Sequence, residues 1–323
     1  MASRLPVVVL VASLAALLPL GSALAQSYPV KPVRVIIVFP PGGSNDVTGR
    51  IVFQKMSEQM GQQFVIENRG GAAGTIGADV VAKSPNDGYT LMVQSATHIA
   101  NAHLYKNLPY DTLGDFIGIT TLARQVAMLV VHPSLPVKTT AEFIALAKQR
   151  PGEINYGSAG NGSLLHLAME LLRSMTGTQL IHVPYKGGGP VNVAIASGEI
   201  QSVVATIASV IPNIRAERVR PIAVTSDKRT TQFPEIPTLA EAIPGYEFTA
   251  WVGTFAPKGT PRPIIDRLNA ELKKALDDPA VSKNLSSQTL DPMHMTPEQF
   301  AQRLQADYEK YARVVKLSGA RVE

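Results

Sequence analysis

The sequence contains no cysteine, a single tryptophan and no block of like charges. Without cysteine the chain has neither disulfides nor thiolate metal ligands, so its stability must come from packing. The formal net charge of +5 is small for 323 residues, and no long run of basic residues occurs. Nucleic-acid binding therefore has little support. With 45% hydrophobic residues, a chain of this length can bury a large core and favours two lobes over one.

The motifs of common enzymes and metal sites are also missing. The sequence has no Gly-x-Ser-x-Gly elbow, Walker motif, Gly-x-Gly-x-x-Gly or His-Glu-x-x-His. Its histidines are scattered, at positions 98, 103, 132, 166, 182 and 294, without carboxylates at metal-ligand spacing. A hydrolase or transferase is therefore disfavoured, and we expect no enzyme activity, metal or cofactor.

The first residues predict an export signal. Arg4 supplies an early positive charge, an apolar run follows over residues 7–20, and Ala23-Leu24-Ala25 ends the segment. This order is typical of a signal peptide with a small-x-small cleavage site, which we place over residues 1–25. A retained membrane anchor is the alternative, but the run is shorter than the about 20 residues that cross a bilayer. We expect a periplasmic mature protein.

A repeating order of strand, turn and helix predicts an α/β fold. Residues 33–39 form a β-branched run that ends at Pro40, a helical pattern follows, and Gly61 ends it. Alternation of this kind is typical of parallel sheets covered by helices. Further strands are expected at 64–66, 89–93, 128–131, 154–156, 180–183, 200–204, 221–225 and 251–256, and further helices at 76–82, 141–149, 164–174, 263–276 and 297–317.

Helix-start signals and one extended segment complete the pattern. Thr139 with Glu142, and Thr296 with Gln299, have the spacing of capping boxes. Residues 230–245 are rich in Pro and Thr and are expected to cross between the lobes.

Two glycine-rich turns carry the best candidate binding residues, at 42–46 and 157–163. Each follows a predicted strand and precedes a predicted helix, where free N–H groups and the positive end of the helix dipole can hold an anion. Ligands of open α/β sheets bind at this carboxyl end of the strands. The alternative is that the glycines serve only tight turns and that Asp46 only caps a helix.

Four other side chains have two interpretations each. Lys186 could add positive charge to the cleft or be solvated, and His166 could border the cleft or pack elsewhere. Trp251 could form the floor of the cleft, lock the hinge between the lobes or belong to the core, the more common role of a lone aromatic. Phe39 could face the ligand or the core.

Ordered blocks of the sequence resemble the Bug-type (Bordetella uptake gene) substrate-binding proteins of tripartite tricarboxylate transporters. The resemblance covers essentially the whole chain after the signal. Its markers are YPVKPV at 28–33, FPPGGSND at 39–46, VIENRGGAAG at 65–74, LPYD at 108–111, NYGSAGNGS at 155–163 and VPYKG at 183–187.

The resemblance implies a two-lobed, type II periplasmic-binding-protein fold, each lobe a mostly parallel sheet with flanking helices. Lobe 1 would comprise 26–125 and 250–323, and lobe 2 would comprise 126–249. The implied role is that of a monomeric solute-binding protein that closes on a small carboxylate and delivers it to integral-membrane transporter subunits. A periplasmic sensor that presents the carboxylate to a signalling receptor is the alternative, because only the partner distinguishes the two.

The two turns would hold one carboxylate, partly through water, and residues 95–98 would contribute to the outer cleft. Ala205 departs from the family pattern, in which Asp is common at the position we align with it. The loss of that carboxylate favours a plain mono- or dicarboxylate over an amino acid. The predicted substrate-binding residues are Phe39, Gly42, Gly43, Ser44, Asp46, Ser95, Thr97, Ser158, Ala159, Gly160, Asn161, Ser163, Lys186 and Thr206.

Overall fold

The structure, a computed structural model, describes residues 28–185, 188–230, 232–319 and 321. The predicted signal peptide and Lys186 lie outside these residues. No helix in the described ranges combines the length and apolar character that a membrane crossing requires. The helices are α1 (Ser44–Met60), α2 (Thr75–Ala82), α3 (Thr97–Leu104), α4 (Thr140–Gln149), α5 (Leu164–Thr176), α6 (Gly188–Ser197), α7 (Ile207–Arg215), α8 (Arg262–Asp277), α9 (Pro279–Ser287) and α10 (Pro297–Ser318).

The strands of this part of the chain form two sheets. The first contains β1 (Val33–Ile37), β2 (Phe64–Asn68), β3 (Thr90–Ser95), β4 (Phe116–Gln125), β10 (Ala250–Pro257) and β11 (Leu290–Pro292), in the order β11-β4-β10-β3-β1-β2. The second contains β5 (Ala127–Val131), β6 (Asn155–Ser158), β7 (Ile181–Pro184), β8 (Ser202–Thr206) and β9 (Arg220–Val224), in the order β7-β6-β8-β5-β9.

The α/β fold is as predicted: both sheets are mixed, and most of their strands run in one direction. In the first sheet β1 pairs parallel with β2 and β3, whereas β10 pairs antiparallel with β3 and β4. In the second, β6 pairs parallel with β7 and β8, whereas β5 pairs antiparallel with β8 and β9. Two of the antiparallel strands, β5 and β10, are those at which the chain enters a sheet from the other one, because β5 follows β4 directly and β10 follows the segment after β9. These passages reverse the strand direction that a repeated βα unit would keep. The third, β11, pairs antiparallel with β4 at the edge of the first sheet.

The predicted helix ends are largely confirmed. Gly61 ends α1 in the left-handed conformation, with φ 66°, which glycine adopts at little cost. The capping box of Thr296 and Gln299 is present at the start of α10. At α4 only half of the predicted box forms, because Thr139 accepts from the Glu142 N–H while the Glu142 carboxylate accepts from the Lys138 N–H.

Helix α10 contacts elements on both sides of the molecule. It packs against α3 and β4 near the first sheet, and against α5 beside the second. Its buried residues belong to a hydrophobic cluster that includes side chains next to both sheets. The assignment of residues 250–323 to lobe 1, like the other lobe boundaries, stays a prediction.

Trp251 belongs to the core. Its side chain is 1% exposed, its Nε1–H donates to Asp307 Oδ2 at 2.7 Å, and its ring packs edge-on against Phe300 with 5.1 Å between ring centroids. The core interpretation of this tryptophan is therefore correct, and its indole has the polar partner that a buried Trp needs.

A buried histidine makes the stability of the fold sensitive to acid. His98 is fully buried, its Nε2 lies 3.1 Å from the Thr112 carbonyl, and burial lowers its pKa from the ordinary 6.5 to about 4. The unfolded chain therefore binds a proton more readily than the native state, so stability falls as pH drops below 6.5. We expect this residue alone to cost about 2.5 kcal/mol of unfolding free energy between pH 7 and about pH 4.5.

Urea denaturation of wild type and His98→Gln at both pH values measures this cost. Glutamine is neutral and can donate to the same carbonyl, so its stability should fall less on acidification. Equal losses in the two proteins would show that His98 does not titrate as described.

Candidate functional site

A cavity of about 870 Å³ lies between the two sheets. Its wall is built by the turn after β1 and by α3 on one side, and by the turn after β6, by α6 and by β8 on the other. Because each sheet contributes strand ends and helix starts, a bound molecule would contact both halves of the chain.

The first turn presents the start of α1 to this cavity. Gly43, Ser44 and Asn45 line the wall, and the N-cap residue Gly43 offers no side chain to the free N–H groups of the first helical turn. Gly42 has φ 84° and faces open space, a conformation that favours glycine. The predicted anion-binding turn is therefore placed at the cavity, with its backbone donors available.

Asp46 supports this turn from behind and does not line the cavity. Its carboxylate is buried and accepts hydrogen bonds from the Gly42 N–H at 2.9 Å, Arg50 Nε at 2.9 Å and Asn68 Nδ2 at 2.9 Å. Burial alone would raise the pKa of Asp46, but the hydrogen bonds from Arg50, Gly42 and Asn68 lower it below the ordinary value. The residue is ionised at neutral pH and fixes the shape of the turn.

The second turn also joins the end of a strand to the start of a helix, but here a side chain caps the helix. Ser158 ends β6, and Ser163 caps α5 by accepting a hydrogen bond from the His166 N–H at 3.3 Å. Gly162, with φ 73°, lies against Leu104 of α3, whose side chain would meet an added Cβ at 2.8 Å. Glycine at this position therefore allows the turn to approach α3 across the cavity.

A histidine pair lies directly behind the second turn. Ser158 Oγ is 2.6 Å from His182 Nε2, and the His182 ring stacks on His166 with 4.0 Å between centroids. The Gly162 N–H donates to His166 Nδ1 at 3.1 Å. Burial and the neighbouring His182 lower the pKa of His166 to about 3, so it is neutral at pH 7. His166 thus packs behind the turn and does not line the cavity.

The lining of the cavity is mostly apolar, and its described residues carry no charge. Among the described residues of the wall, none is Asp, Glu, Lys, Arg or His. Hydroxyl and amide groups are spread over both sides, and Ala205 lies on the β8 part of the wall. Apolar side chains, among them Phe39, Leu104 and Phe248, cover much of the rest. Nowhere in the described ranges do three His, Asp or Glu side chains group as metal ligands would.

The predicted binding residues come together with three exceptions. Asp46 and Gly160 do not line the wall, and Lys186 lies outside the described residues. Sequence reasoning missed most of the side chains that α3 and α6 contribute, because neither helix was predicted. The lining residues that were not predicted include Asn45, Asn101, Leu104, Gln125, Val191, Asn192, Ser209 and Phe248.

Known proteins resemble the chain over most of its length. The model of the tripartite tricarboxylate transporter family receptor (TctC) matches residues 48–319. Protein BugT of Bordetella pertussis is 35% identical over 302 residues, which are 93% of this chain and 93% of that protein.

Two solved structures from Rhodopseudomonas palustris share the fold. Rpa4515, solved with adipate, has 35% sequence identity and a TM-score of 0.80, covering 91% of this chain and 100% of that chain. MatC, solved with bound malate, has 31% identity and a TM-score of 0.74, covering 89% of this chain and 100% of that chain. The resemblance and the type II periplasmic-binding fold expected from the sequence blocks are confirmed.

Proposed function

Because the chain belongs to the tripartite tricarboxylate transporter receptor family, we propose that it captures a small carboxylate between its two sheets and delivers it to membrane transporter subunits. The observation that carries this proposal is the pair of helix-start turns that meet in one cavity. In this proposal the protein is exported to the periplasm and acts as a monomer.

The turns supply what a carboxylate needs. Helices α1 and α5 both begin at the wall, so free N–H groups and two positive dipole ends converge there. The Ser44, Ser158 and Ser163 side chains lie beside them. Hydrogen bonds to an ionised acceptor are stronger than those between neutral groups, so neutral donors suffice for an anion. Adipate in Rpa4515 and malate in MatC are ligands of this class.

The absence of charge from the described residues of the wall disfavours an amino acid as ligand. An ammonium group taken out of water needs a carboxylate partner, and none lies among the described lining residues. Ala205 occupies the position where we place the acidic residue common in the family. We therefore propose a plain mono- or dicarboxylate whose body contacts the apolar part of the wall.

Closure of the two halves around the ligand follows from ligand contacts with both turns. A ligand that binds both turns stabilises the arrangement in which they face each other, and so shifts the population toward the closed protein. The closed form is then the one that the membrane partner would receive.

A thermal-shift screen tests the proposal. Adipate, malate and benzoate are compared with adipamide and glutamate, because a ligand of the native state raises the melting temperature by mass action. We expect at least one carboxylate to raise it while adipamide and glutamate do not. A shift by adipamide equal to that by adipate would exclude an anion site.

Loss of the support behind the first turn should weaken binding indirectly. Asp46→Ala removes the acceptor of the Gly42 N–H and leaves the turn without its fixed shape. We expect about tenfold weaker carboxylate binding in isothermal titration calorimetry, and about 1–2 kcal/mol lower unfolding free energy. Asp46→Asn keeps an acceptor and should lose less of both. Unchanged carboxylate affinity in Asp46→Ala would show that Asp46 does not support the binding site.

A further inference from the structure

The Ser158 hydroxyl has more neighbours than it can satisfy in one arrangement. Its Oγ is 3.2 Å from the Gly160 N–H that donates to it and 2.6 Å from His182 Nε2. It also lies 3.1 Å from the Gly160 carbonyl and lines the cavity. A hydroxyl has one hydrogen and two lone pairs, so the protonation of His182 Nε2 decides where that hydrogen points.

Two arrangements follow from this count. If Nε2 carries no hydrogen, the Ser158 hydrogen is attracted to it, and the oxygen turns a lone pair toward an anion in the cavity. If Nε2 carries a hydrogen, it and the Gly160 N–H occupy both lone pairs. The Ser158 hydrogen is then released from His182, and an anion in the cavity competes for it with the Gly160 carbonyl. Only the second arrangement makes Ser158 a donor to a carboxylate.

We propose that His182 is a positioning residue, whose Nε2–H donates to Ser158 Oγ and thereby turns the Ser158 hydroxyl hydrogen toward the bound carboxylate. This inference rests on the proposed function, because it requires an anion beside Ser158.

The surroundings hold the His182 ring in place for this role. It stacks against two rings, Tyr156 at 4.9 Å between centroids and His166 at 4.0 Å. The charged and titratable groups that face it are Tyr156 on β6 and His166, Glu170 and Arg173 on α5. Glu170 also accepts hydrogen bonds from Tyr156 and Arg173. The carboxylate that could take a proton from this cluster is thus already engaged, and the ring is fixed by contacts independent of the ligand.

Burial lowers the pKa of His182 further than the attraction of Glu170 raises it. The ring is therefore neutral at pH 7, and the role depends on which nitrogen carries its hydrogen. A neutral side-chain amide can supply the same donor. Substitution by glutamine thus separates donation from charge.

A double-mutant cycle tests the inference by isothermal titration calorimetry at pH 7, with the tightest binder among adipate, malate and benzoate as probe. The variants are His182→Leu, His182→Gln, Ser158→Ala and both His182 substitutions combined with Ser158→Ala. His182→Leu should weaken binding about tenfold, as loss of a hydrogen bond to a charged group does. His182→Gln should restore affinity to within about threefold of wild type. In the Ser158→Ala background, His182→Leu should cause no further loss.

The controls separate structural damage from loss of positioning. Melting temperatures identify a variant that folds poorly, and His132→Gln replaces a histidine that bonds to Ser134 and does not line the cavity. Equal losses in His182→Leu and His182→Gln, or an undiminished loss in the Ser158→Ala background, would overturn the positioning role. Failure of wild type to bind any of the three carboxylates would instead overturn the proposed function on which it rests.

Discussion

Ala205→Asp will weaken carboxylate binding by at least about 100-fold. Ala205 is buried on β8 and lines the cavity, where the wall of described residues carries no charge. Two negative charges about 5 Å apart repel by about 3 kcal/mol at an effective dielectric constant of about 20. This repulsion corresponds to more than a hundredfold in the dissociation constant. Isothermal titration calorimetry with the carboxylate that binds wild type measures the loss.

Ala205→Asn is the matched control, because it adds nearly the same volume without the charge. It should lose far less affinity than Ala205→Asp. The aspartate also supplies a partner for an ammonium group, so glutamate should bind Ala205→Asp better than it binds wild type. If Asn and Asp weaken carboxylate binding equally, the effect is steric, and the uncharged wall does not determine the ligand.

Asp307→Ala will lower the free energy of unfolding by about 3 kcal/mol. Asp307 is 2% exposed and accepts hydrogen bonds from Trp251 Nε1 at 2.7 Å and Arg303 Nε at 2.9 Å. Its removal leaves the buried indole N–H without its acceptor, and leaves Arg303 with only the Thr249 carbonyl and the Glu247 carboxylate as partners. Breaking one side of a buried pair in this way costs about 3–5 kcal/mol.

The sequence contains a single tryptophan, so fluorescence during guanidinium unfolding reports directly on Trp251. Asp307→Asn keeps an acceptor oxygen for the indole and should retain about half of the lost stability. At a temperature where Asp307→Ala remains folded, its carboxylate affinity should change little, because neither Trp251 nor Asp307 lines the cavity. Equal stability of Asp307→Ala and wild type would show that this contact does not hold α10 to β10.

The two candidate turns could be predicted because their signals are local. A β-branched run followed by glycines and then a helical pattern specifies a βα turn, and Gly42 and Gly162 adopt the positive φ that such turns require. The capping box at Thr296 was found for the same reason, since all its partners lie within four residues. Local chemistry thus located both turns that line the cavity.

What could not be predicted depends on contacts between distant segments. Asp46 was expected at the ligand, but Arg50 and Asn68 draw its carboxylate behind the turn. His182 lies 24 residues after Ser158 and reaches it because β6 and β7 pair in parallel. Helix α3 was missed because its short, mixed sequence has no clear apolar periodicity. The antiparallel direction of β5 and β10 likewise depends on how the chain passes from one sheet to the other. The sequence of a single strand does not determine that direction.

A crystal structure of the protein grown with the tightest-binding carboxylate of the screen tests the central claim most directly. We expect one carboxylate group within hydrogen-bond distance of backbone N–H groups from both turns, 42–46 and 158–163, either directly or through one water. A ligand held by only one of these turns, or bound outside the cavity between the sheets, would contradict the account.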